Sequence, residues 1–171
     1  MNHTNKTIRS LLLVAAAWAT LNLAHADSGR LMPHDVLPAY TQECAACHTA
    51  YPPGMLPAPS WQRIMGGLEA HYGTDASVDP ATVKQLSTWL QTHAGTYKRV
   101  REAPPEDRIT RSAWFVRKHD DITPAVWKLP SVKSAANCAA CHSRADQGDF
   151  DDDNLTMPAG LDARMRRAWR D

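Results

Sequence analysis

The chain contains four cysteines, and all four lie in two strings with the same letters, C-A-A-C-H, at residues 44–48 and 138–142. A C-x-x-C-H string is the attachment signature of c-type haem. Its two thiols, one helical turn apart, can bond to the two vinyl groups on one porphyrin edge, and the histidine that follows then lies under the iron. The residues that this signature assigns to haem attachment and proximal ligation are Cys44, Cys47, His48, Cys138, Cys141 and His142. The sequence therefore predicts two covalently bound haems c.

Three other uses of the cysteines are weaker. Zinc sites built from two C-x-x-C pairs usually separate the pairs by about 15–20 residues, whereas about ninety residues separate them here. Disulfides would suit four cysteines in an exported protein, and a thioredoxin-like motif would need a βαβ context that the sequence lacks. None of the three explains a histidine after each second cysteine, so haem attachment is favoured.

The N-terminal segment has the pattern of a signal peptide. Lys6 and Arg9 form a short basic region, and residues 11–19 form an apolar stretch that is too short to span a bilayer. An A-H-A string supplies a cleavage site, so we expect the signal peptide to span residues 1–26 and the mature chain to begin at Asp27. An uncleaved anchor is the alternative, and the short apolar run disfavours it. The expected location is the periplasm, an oxidising compartment where haem can be attached.

Composition limits the classes of partner. The 19 basic residues lose two with the signal peptide, so 17 basic residues face 18 acidic ones in the mature chain. This near-neutral balance argues against nucleic acid as a partner. Large aliphatic residues are sparse, so a core made of polypeptide alone would be thin, and two buried porphyrins would supply the missing apolar volume.

The hydrophobic periodicity predicts an all-α fold, with short helices and loops wrapped around the two haems. The expected helices span residues 38–48, 61–72, 80–94, 110–119 and 134–142, with a further short piece that begins at Thr123. Ser60, Asp79 and Thr110 are the expected N-caps. Residues 51–59, with four prolines and a glycine, predict an extended loop that could cover a haem face.

The haem motifs divide the mature chain into two parts with one haem each. We expect a first haem-binding half at 27–101, a linker at 102–107 and a second haem-binding half at 108–160. A basic C-terminal tail follows at 161–171. The tail could lie on a membrane surface, although packing on the body of the protein is the favoured expectation.

Each iron has a sixth axial position, and its occupant decides between electron transfer and ligand chemistry. Besides the two proximal histidines, the mature chain has four more, which are His34, His71, His93 and His119. His71, His93 and His119 each share a helix face with apolar residues, so periodicity leaves all three open. His34 has no periodic context. Met157, which precedes a proline, is an alternative ligand at the second haem.

Beyond these motifs, the sequence resembles the small periplasmic dihaem cytochrome c family over about residues 40–158. The resemblance rests on three strings, ECAACHTAYPPGMLPAPSWQRIMGGLEAHYG at 43–73, RITRSAWFVRKHD at 108–120 and NCAACHSRADQGDF at 137–150. It implies two bis-histidine haems, with His71 and His119 as the distal ligands. Pairing within each half, His71 with His48 and His119 with His142, is favoured, and crossed ligation stays open.

The resemblance also implies a function. Two six-coordinate haems leave no open iron for a substrate, so we expect an electron carrier and not an enzyme. The expected partners are a membrane cytochrome b or quinol-linked donor and a soluble haem protein acceptor. The alternative is a peroxidase-like or reductase-like haem protein in which one haem opens a coordination site.

Overall fold

The computed structural model describes residues 31–168. The predicted signal peptide at 1–26 and the last three residues of the predicted tail lie outside this range. Within it, all regular secondary structure is helical, apart from two isolated bridges, His71–Thr74 and His142–Leu155. The predicted all-α class is therefore confirmed. None of the described helices is long and apolar enough to cross a membrane.

The described range contains short α-helices joined by loops and single turns. The α-helices are α1 Pro38–Cys44, α2 Ala58–Met65, α3 Pro80–Thr92, α4 Ala113–Lys118, α5 Pro124–Trp127 and α6 Ala163–Ala168. The 3-10 turns are Pro53–Met55, Leu68–Ala70, Lys98–Val100, Pro105–Asp107, Ile109–Arg111, Cys138–Ala140, Ala145–Gln147 and Asp152–Asn154.

The larger hydrophobic core joins α1, α2 and α3. Its buried members are Met32, Tyr40, Ala50, Leu56, Trp61, Met65, Leu86 and Leu90. α3 begins as predicted, because the Asp79 carboxylate accepts hydrogen bonds from the backbone N–H groups of Ala81 and Thr82 at 3.0 and 3.1 Å. Pro80 occupies the first helical position, where its missing N–H costs nothing. The helix ends at Thr92, two residues before the predicted end.

The predicted boundaries of α2 were wrong. Ser60 was expected to cap a helix over 61–72, but it lies inside α2 and is fully buried. Two prolines, at 57 and 59, fit before and within the first turn, where proline is tolerated. The helix then stops at Met65 because Gly66 and Gly67 favour the helical state poorly.

Three further predicted helices differ from the structure. The first attachment helix, expected over 38–48, ends at Cys44. The second, expected over 134–142, is a single 3-10 turn, Cys138–Ala140. α4 is capped by Ser112 and not by Thr110. Short segments that carry few apolar residues cannot offset the cost of helix nucleation, so they remain turns.

A smaller hydrophobic core lies in the second half of the chain. Val126, Val132 and Leu161 are buried in it, and the partly buried Met165 packs against them. α6 therefore holds the apolar side of the tail against the body, which is the packing favoured for residues 161–168 of the predicted tail. The predicted short piece that begins at Thr123 is confirmed as α5.

Candidate haem sites

The first attachment motif begins at the end of α1. Cys44 is the last residue of the helix, and Cys47 and His48 follow in an exposed turn. The Nδ1 atom of His48 lies 2.7 Å from the carbonyl oxygen of Thr49. Because a carbonyl can only accept, Nδ1 carries the proton and the Nε2 lone pair is free to bind a metal.

No disulfide joins the four cysteines in the described range. The disulfide interpretation is therefore not supported by the fold. Burial, followed by the charge of Glu43, raises the pKa of the Cys44 thiol to about 11. Burial also raises the pKa of the Cys138 thiol to about 11.

The second attachment motif is held by the chain that follows it. Cys138 opens the 3-10 turn, and the carbonyl of Cys141 accepts the backbone N–H of Thr156 at 2.7 Å. His142 forms an isolated bridge with Leu155. The return of residues 154–156 therefore positions His142 without a long helix.

His119 lies directly after α4, one helical turn beyond Phe115. Its Nδ1 atom donates to the Phe115 carbonyl at 2.9 Å, which again leaves Nε2 free. The Phe115 ring stacks on the imidazole with a centroid distance of 4.0 Å and an interplanar angle of 17°. Phe115 is 7% exposed, so a buried aromatic ring fixes the plane of this imidazole.

The structure brings the four predicted ligand histidines together in two pairs, each within one half of the chain. The ring centroids of His48 and His71 lie 6.3 Å apart with an interplanar angle of 22°. Those of His119 and His142 lie 6.2 Å apart at 70°. Imidazoles on opposite sides of one metal have centroids about 6 Å apart, because each metal–nitrogen bond is about 2 Å long and each nitrogen lies about 1 Å from its ring centroid. Each pair therefore fits one haem iron between its rings.

The surroundings of His71 and His142 favour the neutral form that a metal requires. Burial, followed by the neighbouring His48 and Arg108, lowers the pKa of His71. Burial, followed by His119, lowers the pKa of His142. The buried Nδ1 atom of His142 has no hydrogen-bond partner.

The other ligand candidates are placed differently. Nδ1 of His93 lies 2.9 Å from the Trp89 carbonyl, and its Nε2 lies 3.2 Å from an Asp35 carboxylate oxygen. Both nitrogens of His93 are therefore engaged. His34 is exposed, and Met157 packs against the smaller hydrophobic core.

A strained turn supports His71. Tyr72 and Gly73 follow it with φ of 52° and 96°, and the left-handed region costs a non-glycine residue about 1–2 kcal/mol. The Tyr72 hydroxyl donates to the carbonyls of Glu106 and Asp107, both at 3.1 Å. These two residues also have positive φ, at 56° and 54°.

Two arginines complete this contact between the His71 turn and the predicted linker. The guanidinium of Arg108 lies 4.2 Å from the centroid of the Tyr72 ring, a cation–π distance. Arg63 donates two hydrogen bonds to the Asp107 carboxylate, at 2.6 and 2.8 Å. The hydrogen bonds from Arg63 lower the pKa of Asp107, against the opposing effect of burial. Residues 105–108 are thus tied to the distal side of the first site.

Tyr51, which was not predicted as a site residue, contacts His48 of the first attachment motif and the segment that leads into the second. Its ring stacks on His48 with a centroid distance of 4.9 Å and an angle of 19°. Its hydroxyl donates to the carbonyl of Ala136, two residues before Cys138, at 2.6 Å. Burial, with a smaller effect from Cys138, raises the pKa of Tyr51 to about 12, so the phenol remains a donor at neutral pH. The only signal in the sequence was its place at the start of the proline-rich loop expected to cover a haem.

Comparison with known proteins identifies the family of the chain. The family model for dihaem cytochrome c matches residues 40–150. A dihaem cytochrome c from Shewanella baltica OS155, known from an X-ray structure, is 38% identical with a TM-score of 0.63, and the match covers 71% of this chain and 93% of that one. A crystal structure of a dihaem cytochrome from Rhodobacter sphaeroides is 39% identical with a TM-score of 0.60, covering 70% and 99%. No protein with a curated description matches the chain.

A helical shell with two C-A-A-C-H motifs, each facing a second histidine, defines a c-type cytochrome with two haems. The chain belongs to the dihaem cytochrome c family, and it binds two haem c groups covalently. This membership confirms the predicted family and cofactors, and it makes the protein an electron-carrying cytochrome.

Proposed function

We propose that the protein carries electrons through two low-spin haems, one between His48 and His71 and the other between His119 and His142. The observation that carries this proposal is the spacing of the two ring pairs, 6.3 and 6.2 Å. With a protein nitrogen on both sides of each iron, no coordination position is left for a substrate. The protein then acts as a carrier and not as an enzyme.

The side chains around each site hold the ligands in place. Haem c, when bound, supplies a one-electron iron couple. His48 and His119 each donate Nδ1–H to a main-chain carbonyl, which fixes the tautomer and directs Nε2 toward the iron. At the second site, the stack with Phe115 restricts the movement of the His119 ring. At the first site, the turn at Tyr72, which is held by hydrogen bonds to the carbonyls of Glu106 and Asp107, restricts the movement of the His71 ring. Restricted ligands keep the geometry similar in both oxidation states, which suits electron transfer.

We place the protein in the periplasm, between a membrane cytochrome b or quinol-linked donor and a soluble haem protein acceptor. The signal-peptide pattern supports the compartment. An acidic run at 149–153 supports a partner with a basic surface, because charge of one sign steers an oppositely charged partner. Phe150, within this run, contacts the ring of His142 edge-on with a centroid distance of 5.4 Å. A partner docked there would lie close to the second haem.

Carbon monoxide binding tests the carrier proposal. Visible spectra of the oxidised and the reduced holoprotein would be recorded with and without carbon monoxide. We expect two low-spin haems and no rapid change on addition of the gas, because histidine fills both distal positions. His119→Ala provides the positive control, since it should open one haem to the gas.

Rapid binding by the wild-type protein, or a high-spin band in its oxidised spectrum, would contradict the proposal. Such a result would favour the alternative function, a peroxidase-like or reductase-like protein with an open haem. The proposed donor is tested separately by mixing the oxidised protein with membrane vesicles supplied with a quinol. Failure of the haems to become reduced would argue against a quinol-linked donor.

A further inference from the structure

Tyr51 lies between the two attachment motifs and is fixed from three directions. The buried Tyr40, on α1, donates its hydroxyl to the Tyr51 carbonyl. The Tyr51 ring stacks on His48, and the Tyr51 hydroxyl binds the carbonyl of Ala136. These contacts run from the helix that carries Cys44 to the segment that leads into the second motif, across 85 residues of sequence.

We propose that Tyr51 is a positioning residue that holds the second attachment segment against the proximal side of the first haem site and thereby sets the coupling between the two haems. The proposal rests on the electron-carrier function proposed above, because coupling matters only if both haems exchange electrons. Ala136 lies two residues before Cys138, which attaches the second haem, so loss of its hydrogen bond with Tyr51 would change the position of the attachment site.

The coupling has a measurable form, the interaction potential, which is the change in the potential of one haem when the other is reduced. This quantity is a Coulomb interaction, so it falls as the separation and the effective dielectric constant between the two irons increase. Loss of the Tyr51 contact would let the second segment move away and water enter between the sites. The interaction potential would then fall by up to about fourfold, the ratio of the effective dielectric constants of water and of a protein site.

The experiment compares variants of the holoprotein with both haems attached. Tyr51→Phe removes only the hydroxyl that binds Ala136, whereas Tyr51→Leu also removes the ring that stacks on His48. Tyr72→Phe is the matched control, because its hydroxyl also bridges distant main-chain carbonyls but lies on the distal side of the first site. Redox titration followed by NMR of the haem methyl groups yields the potential of each haem and the interaction potential.

We expect the interaction potential to fall in Tyr51→Phe and to fall further in Tyr51→Leu. In Tyr72→Phe the potential of the first haem can change, but the interaction potential should stay at the wild-type value. An unchanged interaction potential in Tyr51→Phe would overturn the proposal, and this variant keeps the ring, so it remains the test if Tyr51→Leu does not fold. Failure of the carrier function would look different, because it would appear as a high-spin haem in the wild-type spectrum.

Discussion

Replacing Phe115 by alanine tests how His119, the proposed distal ligand of the second haem, is held. Phe115 is 7% exposed, and its ring stacks on His119 at 4.0 Å. Truncating a buried phenylalanine to alanine typically costs about 3–5 kcal/mol. The hydrogen bond from His119 goes to the main-chain carbonyl of Phe115 and survives the substitution. We therefore expect a loss of about 4 kcal/mol in the free energy of unfolding, with His119 still bound but its ring less fixed.

The assay is guanidinium unfolding of the holoprotein, followed by circular dichroism and by haem absorbance. The low-spin resonance of the second haem should also broaden in the electron paramagnetic resonance spectrum, because the imidazole plane is no longer defined by the stack. Phe115→Leu should lose only about 1 kcal/mol, since it keeps most of the buried volume. Val116→Ala, at an exposed neighbour, should change stability by less than about 0.5 kcal/mol. A free energy of unfolding of Phe115→Ala within about 1 kcal/mol of the wild-type value would contradict this expectation.

Three further predictions concern the first half of the chain. Leu90→Ala should lower the free energy of unfolding by about 2–5 kcal/mol, because Leu90 is 1% exposed in the larger core; a smaller loss in denaturant titration would show that the core collapses around the cavity. Asp79→Asn should keep the helix cap but weaken the acid dependence of stability. The pKa of Asp79 is lowered, mainly by a hydrogen bond from the Thr82 side chain. The wild-type protein should therefore lose stability as pH falls below about 4. Plots of unfolding free energy against pH that run parallel for the two proteins would contradict this. Tyr72→Phe should speed the slow displacement of His71 by carbon monoxide at the reduced first haem by about threefold to tenfold, because it removes the hydroxyl that braces the His71 turn. An unchanged rate of displacement, followed by visible absorbance after mixing with the gas, would refute this.

Local signals predicted the elements that depend on local interactions. The start of α3 followed from Asp79 and Pro80, because an N-cap and a first-turn proline act within one turn of the helix. The start of α5 followed from Pro124, which occupies the first turn of the helix. The two haem motifs were equally readable, because their chemistry lies within five consecutive residues.

Other features depend on contacts between distant residues, so the sequence could not specify them. The second attachment motif is held by the returning chain at 154–156 and not by a helix of its own. Periodicity could not separate His93 from His71 and His119. The structure does so by engaging both nitrogens of His93 with Trp89 and Asp35. The hydrogen bonds of Tyr51 and Tyr72 join residues far apart in the chain, and no local sequence pattern indicates them.

The most direct test of the central claim is electron paramagnetic resonance of the fully oxidised holoprotein and of three single variants, His71→Ala, His119→Ala and His93→Ala. We predict that the wild-type protein and His93→Ala contain only low-spin haem. His71→Ala and His119→Ala should each convert one of the two haems to the high-spin state. Conversion of a haem by His93→Ala, or two low-spin haems in His71→Ala or His119→Ala, would contradict the assignment of the distal ligands.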